Sequence, residues 1–252
     1  MNIVTEISEW QRIRKNLAGE TVGFVPTMGN LHAGHMSLCR HARTENAIVV
    51  ASIFVNPMQF NQASDFELYP RTVEQDAALL TAEHVDYLFL PAAKEIYPDD
   101  YQIQLTENTV SLELEGLHRP GHFNGMLTVV LKLLNLIQPT RAYFGEKDYQ
   151  QLLLIKKMVS ALFLPLDIVA CETVRAEDGL ALSSRNTRLN AVQRQKAVDF
   201  PKLLNSVMQP EKITEQLEAL GFKVDYIADQ WQRRLGAVWL DEVRLIDNVP
   251  LK

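Results

Sequence analysis

The chain has 252 residues, and hydrophobic side chains make up 47% of them, so it can bury the core of one large domain with or without a smaller one. Its 25 basic and 31 acidic residues give a net charge of −6, which argues against binding to nucleic acid, since that requires a basic face. The sequence has no apolar run near the roughly 20 residues that span a bilayer and no apparent secretory signal. We therefore expect a soluble, cytoplasmic protein that contacts neither nucleic acid nor membrane.

Short apolar segments alternate with helical patterns from residue 22 to about residue 171. The predicted strands are 22–26, 47–55, 86–90, 141–144 and 166–171, and the predicted helices are 33–43, 72–83, 126–137 and 149–162. This alternation predicts an α/β fold with a doubly wound, mostly parallel, Rossmann-like sheet. Ligands of such sheets bind at the carboxyl ends of the strands, where the strand order reverses.

The pattern changes after the loop 175–186. A helix is predicted over 191–208, and the short segments 223–227 and 243–246 are predicted strands of a small sheet. We therefore predict two domains: a Rossmann-like domain of residues 1–173 and a small α+β C-terminal domain of residues 174–252.

The first candidate site is the segment 26–35, Pro-Thr-Met-Gly-Asn-Leu-His-Ala-Gly-His, which joins a predicted strand to a predicted helix. His32 and His35 share one face of a helical turn, and Gly34 leaves room for a ligand against the backbone. The helix start adds partial positive charge. These features are typical of a cradle for a triphosphate. An ordinary histidine pair at a helix start and a metal site are the alternatives.

A second cluster, in segment 144–151, again joins a strand to a helix. Gly145 permits a close backbone approach, Lys147 supplies a compact positive charge and Asp148 can cap the helix. An exposed turn with a capping aspartate is the alternative interpretation.

A third cluster lies in the loop 178–186. Ser183 and Ser184 offer hydroxyl groups, and Arg185 offers a fork of donors suited to phosphate oxygens. A solvated loop is the alternative.

Two further polar residues follow predicted elements. Gln59 comes soon after the strand 47–55, so it emerges at the same sheet edge as His35 and can recognise a small polar acid. Asp76 is the best single carboxylate for a magnesium ion carried by a nucleotide, although a lone acid at a helix start is equally ordinary.

Together these motifs resemble the pantothenate synthetase family, a group of nucleotidyltransferases similar to class I aminoacyl-tRNA synthetases. The resemblance rests on segments that occur in the family's order and spacing, namely 26–35, 52–60, 69–72, 118–123, 144–151, 182–186 and 244–248.

The resemblance implies an ATP-dependent ligase that condenses pantoate with β-alanine through a pantoyl adenylate and releases AMP and pyrophosphate. It also implies Mg²⁺ as a cofactor, a homodimer, and a small domain that closes over ATP. The alternatives are an enzyme of the same superfamily that transfers a nucleotidyl group to a phosphorylated acceptor, and a nucleotide-sensing module without turnover.

The resemblance also assigns roles to residues. His35 is the residue usually named as the catalytic acid, and the charge that assists catalysis comes from His32, His35, Lys147, Ser183, Ser184 and Arg185. Gln59 and Gln151 hold pantoate, Gln59 also lies near β-alanine, and Asp76 falls at the magnesium-linked acid. The implied ATP site comprises Met28, Gly29, Asn30, Leu31, His32, Ala33, Gly34, His35, Gly145, Glu146, Lys147, Asp148, Val174, Leu182, Ser183, Ser184 and Arg185.

Overall fold

The computed structural model describes residues 1–61 and 66–251 of the chain. Their contacts divide the chain into two compact units. The first consists of Met1–Gly145 and Gln150–Cys171, and the second of Glu146–Tyr149 and Glu172–Lys252.

Six parallel strands form the sheet of the first unit in the order β1-β4-β3-β2-β5-β6. The chain moves outward from β2 through β3 to β4 and then returns to the opposite side of β2 with β5. The order therefore reverses between β2 and β5, which confirms the predicted doubly wound sheet. The strands are β1 (Asn2–Val4), β2 (Val22–Thr27), β3 (Ile48–Ile53), β4 (Tyr87–Phe89), β5 (Arg141–Gly145) and β6 (Asp167–Cys171).

Helices flank this sheet: α1 (Ile7–Asn16), α2 (Ala33–Glu45), α3 (Val73–Ala82), α4 (Ala93–Ile96), α5 (Glu115–His118), α6 (His122–Ile137) and α7 (Tyr149–Ala161). Two 3₁₀ turns, Pro57–Gln59 and Val110–Leu112, lie in the long connections. Within the described ranges, no helix is long and apolar enough to cross a membrane.

Burial of both sheet faces explains the nearly unbroken apolar run of β3. Val49 and Ala51 are fully buried in one core cluster with Val25 of β2, and the α2 residues Cys39 and Ala42 belong to the same cluster. Apolar burial on both sides therefore fixes the central strands β2 and β3, and this also fixes the positions of their carboxyl ends.

Strands β2 and β5 separate toward their carboxyl ends. Their register pairs Gly23 with Arg141 and Phe24 with Ala142, whereas β2 continues to Thr27 and β5 to Gly145. A crevice at this point of reversal is the usual ligand site of a doubly wound sheet.

The second unit contains an antiparallel sheet in the order β7-β8-β9, formed by Lys223–Gln230, Arg233–Leu240 and Val243–Pro250. Helices α8 (Ala191–Ala197), α9 (Asp199–Leu204) and α10 (Pro210–Ala219) accompany this sheet, and Phe200, Leu204 and Val238 belong to the unit's core. The predicted α+β character of the C-terminal part is confirmed.

The structure differs from the predicted elements in one predicted helix and in several elements that were not predicted. The predicted helix 191–208 is two helices that meet at Val198, because Pro201 has no N–H to donate to the carbonyl of Ala197. The predicted elements lack the strands β1 and β8 and the helices α1, α4, α5 and α10.

Candidate functional site

A tight left-handed turn joins β2 to α2. Gly29 and Asn30 have φ values of 82° and 50°. A Cβ atom at position 29 would lie 3.1 Å from Asp76 Oδ2 and 3.1 Å from Ile53 Cγ2, so glycine suits this position for both its conformation and its size. The turn places His32 at the N-cap of α2.

His32 and His35 form a reciprocal capping box. The Gly34 N–H donates to His32 Nδ1 at 3.1 Å, and the His32 N–H donates to His35 Nδ1 at 3.3 Å. The ring centroids are 4.1 Å apart. Because both Nδ1 atoms accept, each neutral ring carries its proton on Nε2. The first turn of α2 therefore presents two imidazole N–H donors of fixed tautomer.

Asp76 anchors the same turn from helix α3. Its Oδ2 accepts the Asn30 N–H at 2.9 Å and the Thr72 hydroxyl at 3.1 Å, and its Oδ1 accepts the Leu31 N–H at 2.8 Å. The residue is only 2% exposed. The three donors satisfy this buried side chain, and their hydrogen bonds fix the backbone that leads to the histidines.

These contacts bear on the assignment of Asp76 to magnesium. Both of its oxygens serve the turn, and the described part of the chain has no group of three or more His, Cys, Asp or Glu residues placed to hold a metal ion. The donor set does not fit a magnesium ion held by the protein alone. The contacts that the structure does assign to Asp76 are those of an anchor.

The 3₁₀ turn after β3 presents Gln59, which is 8% exposed. Asn56 Nδ2 donates to Gln59 Oε1 at 3.2 Å, and the Tyr97 hydroxyl donates to Asn56 Oδ1 at 2.8 Å. These contacts fix the amide orientation, so that Gln59 Nε2 faces Met28 Sδ at 3.1 Å. The structure thus brings Gln59 and Met28, two of the predicted site residues, into contact.

The backbone of Gln59 is held from the segment 119–125. His122 Nδ1 donates to the Gln59 carbonyl at 2.9 Å, and Arg119 Nη2 donates to it at 3.2 Å. A Cβ atom at Gly125 would lie 2.4 Å from the Met58 carbonyl, so α6 approaches this turn closely only because residue 125 is glycine.

The two adjacent glutamines of α7 have different environments. Gln150 is buried, accepts the Glu115 N–H at 3.0 Å and donates to the carbonyls of Val110 and Glu113 at 2.7 Å each. Gln151 is half-buried on the same helix. The side-chain amide of Gln150 binds the backbone on either side of the start of α5, so Gln151 is the candidate for ligand contact.

Gly145 ends β5 in the first unit, and the second unit carries the remaining predicted residues. Lys147 lies in the 3₁₀ turn Glu146–Asp148, with its Nζ 3.8 Å from Asp148 Oδ1. Ser183 caps the 3₁₀ turn Ser184–Arg188 by accepting the Arg185 N–H at 3.3 Å. The Leu182 N–H donates to the Val174 carbonyl at 3.0 Å, which links the two ends of the preceding loop.

Comparison with known proteins identifies the family. The family model of pantoate-beta-alanine ligase matches residues 2–250. The chain is 52% identical to a pantothenate synthetase of Legionella pneumophila (strain Corby), over 98% of this chain and 99% of that protein. It is 49% identical to the pantothenate synthetase of Coxiella burnetii (strain Dugway 5J108-111), over 98% and 96%.

The chain belongs to the pantoate–β-alanine ligase family.

Solved structures agree with this membership. A pantoate-beta-alanine ligase from Francisella tularensis, complexed with beta-gamma ATP and beta-alanine, has a TM-score of 0.95 at 42% identity and covers 99% of this chain and 97% of its own. A pantothenate synthetase from Thermus thermophilus has a TM-score of 0.92 at 43% identity, with 99% of each chain covered.

Several polar residues of this family member were not among the predicted site residues. Asn56, Tyr97 and His122 orient Gln59, yet they lie in three different segments of the sequence. Asn56 stands in the quoted segment 52–60 and His122 in the quoted segment 118–123, so the sequence marked both segments without giving either side chain a role. Tyr97 has no motif around it.

We predict that Asp76→Asn lowers the free energy of unfolding by roughly 1.5–3 kcal/mol, because an amide nitrogen would face a backbone donor in a buried site. Urea denaturation followed by circular dichroism measures this change. Glu74→Gln is the matched control, since Glu74 is exposed in the first turn of the same helix and loses the same charge. Equal losses in the two variants would contradict the anchoring role.

Proposed function

We propose that this family member makes pantothenate through a pantoyl adenylate. An oxygen of the pantoate carboxylate attacks the α-phosphorus of ATP, and pyrophosphate leaves. The β-alanine amine then attacks the carbonyl carbon of the mixed anhydride, loses a proton and displaces AMP. The observation that carries the proposal is the pair of imidazole Nε2–H donors at the start of α2, beside the sheet reversal.

The histidine pair suits the first step. Negative charge grows on the phosphate oxygens and on the leaving pyrophosphate, and donors that are already oriented stabilise it without reorganisation. His32 and His35 have this property because each Nδ1 is occupied by a backbone N–H. We assign His35 as the principal donor to the transferring phosphate and His32 as its neighbour.

The Gln59 amide suits the acid substrate. Its oxygen accepts from Asn56 and one N–H donates to Met28 Sδ, so its second N–H is the group that can donate to a carboxylate or a hydroxyl oxygen. We place pantoate against Gln59 and Gln151, and β-alanine near Gln59. A neutral amide fits a carboxylate of single charge and provides none of the positive charge that a phosphorylated acceptor requires.

We propose that the segments 28–35, 145–148 and 182–185, with Val174, all contact ATP, as the resemblance implies. Lys147, Ser183, Ser184 and Arg185 supply cationic and hydroxyl donors for its phosphates. The small domain, residues 174–252, would act as a lid that keeps water from the anhydride.

Magnesium and location complete the proposal. Mg²⁺ retains water and commonly enters enzymes bound to substrate phosphates, so we propose that it arrives with ATP. The use of ATP favours a cytoplasmic enzyme, as predicted from the sequence.

We predict that His35→Ala and His35→Glu both slow adenylate formation, the alanine variant by about 10²–10³-fold, since one oriented donor is lost. Glutamate at this position keeps a capping box but has no donor, whereas alanine removes both cap and donor. Single-turnover measurement of pyrophosphate release tests the rate, and thermal unfolding tests the cap. Both variants should be slow, and only the alanine variant should lose the stability that the cap provides. A normal rate in either variant contradicts the assignment of His35.

The adenylate has its own test. With ATP, Mg²⁺ and pantoate but no β-alanine, we expect a burst of pyrophosphate close to the number of active sites, followed by near arrest. Oxygen-18 in the pantoate carboxylate should appear in AMP after β-alanine is added, because the attacking oxygen stays on phosphorus. Mass spectrometry of AMP measures the transfer. Unlabelled AMP would exclude the adenylate route, and AMP retained on the acceptor would indicate nucleotidyl transfer.

We also propose a homodimer. Leu112 and Leu117 are 63% and 68% exposed and lie on two contacting segments, the 3₁₀ turn Val110–Leu112 and helix α5. Burial of such side chains by a second copy would stabilise the pair. Analytical ultracentrifugation at micromolar concentration should give the mass of two chains, and Leu117→Asp should weaken the association. A single-chain mass for the unmodified protein contradicts the dimer.

A further inference from the structure

The C-terminal segment 244–248 was singled out in the sequence without a role, and its last two residues are buried polar groups in the second unit. Asp247 is 4% exposed and Asn248 is 2% exposed, and both lie on β9. Buried polar side chains are costly unless they are fully hydrogen-bonded, so their partners indicate what they hold.

Asn248 holds the turn that carries Lys147. Its Nδ2 donates to the carbonyls of Glu146 and Lys147, at 2.9 Å each. Its Oδ1 accepts from Arg233 Nε at 2.5 Å, and Arg233 also pairs with the Glu146 carboxylate at 3.1 Å. One buried amide thus fixes two successive peptide units of the Glu146–Asp148 turn.

Asp247 holds the loop that leads to the serine-arginine segment. Its carboxylate forms a two-point pair with the Arg175 guanidinium, at 2.6 and 2.9 Å. Arg175 also donates to the Gly179 carbonyl at 3.0 Å, inside the loop, and to the Asn248 carbonyl at 3.2 Å. Arg175 also forms an antiparallel backbone bridge with Ala181, and this bridge fixes the end of the loop that leads to Ser183.

The two sets of contacts are coupled. The Asn248 N–H donates to Asp247 Oδ1 at 2.8 Å, so the two residues hold each other as well as their separate partners. Strand β9 also contacts both 3₁₀ turns, Glu146–Asp148 and Ser184–Arg188.

We infer that Asp247 and Asn248 are positioning residues for the nucleotide: together they set the spacing between Lys147 and the donors of residues 183–185. This inference rests on the proposed contact of both segments with ATP. It gives the end of β9 a role in binding triphosphate, in a segment for which the resemblance assigns no role.

The test compares Asp247→Asn with Asp229→Asn. Asp229 forms a similar two-point pair with Arg234, at 2.7 and 2.9 Å, in the same sheet but with neither nucleotide segment as a partner. Both substitutions should lower the melting temperature. Only Asp247→Asn should weaken binding of a non-hydrolysable ATP analogue, by about 10- to 100-fold in calorimetry, because the loss of one hydrogen bond to a charged phosphate has an effect of about that size. The KM for pantoate should stay within a few-fold of its original value.

Two further variants guard against a failure to fold. Asn248→Leu removes the two donors without adding charge, and Arg175→Lys keeps the charge but loses the planar fork. Both should weaken binding of the analogue. Lys147→Ala and Arg185→Ala are measured in the same assay. If these two weaken binding while the Asp247, Asn248 and Arg175 variants match Asp229→Asn, the positioning role is wrong. If neither Lys147→Ala nor Arg185→Ala weakens binding, the proposed nucleotide contacts are wrong, and the inference that rests on them is wrong as well.

Discussion

The buried carboxylate of Asp76 fixes the backbone on which the first unit's candidate site is built. Asp76 receives two backbone N–H groups from a turn about 45 residues earlier in the chain. That turn has two successive residues in the left-handed region, a conformation that asparagine tolerates better than most residues but that still costs more than the usual backbone regions. Charge-assisted hydrogen bonds offset this cost. Because the turn is fixed, α2 begins at a defined point, and the histidine rings take defined tautomers.

In the second unit, too, a buried carboxylate fixes an irregular segment through hydrogen bonds. A buried aspartate again fixes a loop that is distant in sequence, although here it acts through the Arg175 side chain. In both units the acid lies on regular secondary structure, and the segment that it holds is irregular. A rigid helix or strand thereby defines the position of backbone that has few hydrogen bonds of its own.

The sequence predicted elements whose burial leaves a local pattern, such as β3 with apolar residues on both faces. It did not predict β8, because the turn before it uses Trp231 and Gln232 at positive φ, where glycine or asparagine is the usual signal. The candidate ligand residues were marked by short motifs, and Gln59 does contact Met28. Their supporting partners could not be predicted, since His122 is 63 residues from Gln59 and no periodicity links such distant positions.

The second unit includes Glu146–Tyr149, a segment inserted between two stretches of the first unit. No single cut in the backbone can therefore separate the units along their own boundary. Cleavage after Cys171 would leave this segment, with Lys147, on the other fragment. If residues 172–252 were exchanged between two relatives, the turn Glu146–Asp148 would come from one relative and strand β9 from the other. Asn248 and the two carbonyls that it binds would then have to match across that exchange, so the segment and the tail are expected to be inherited as one piece.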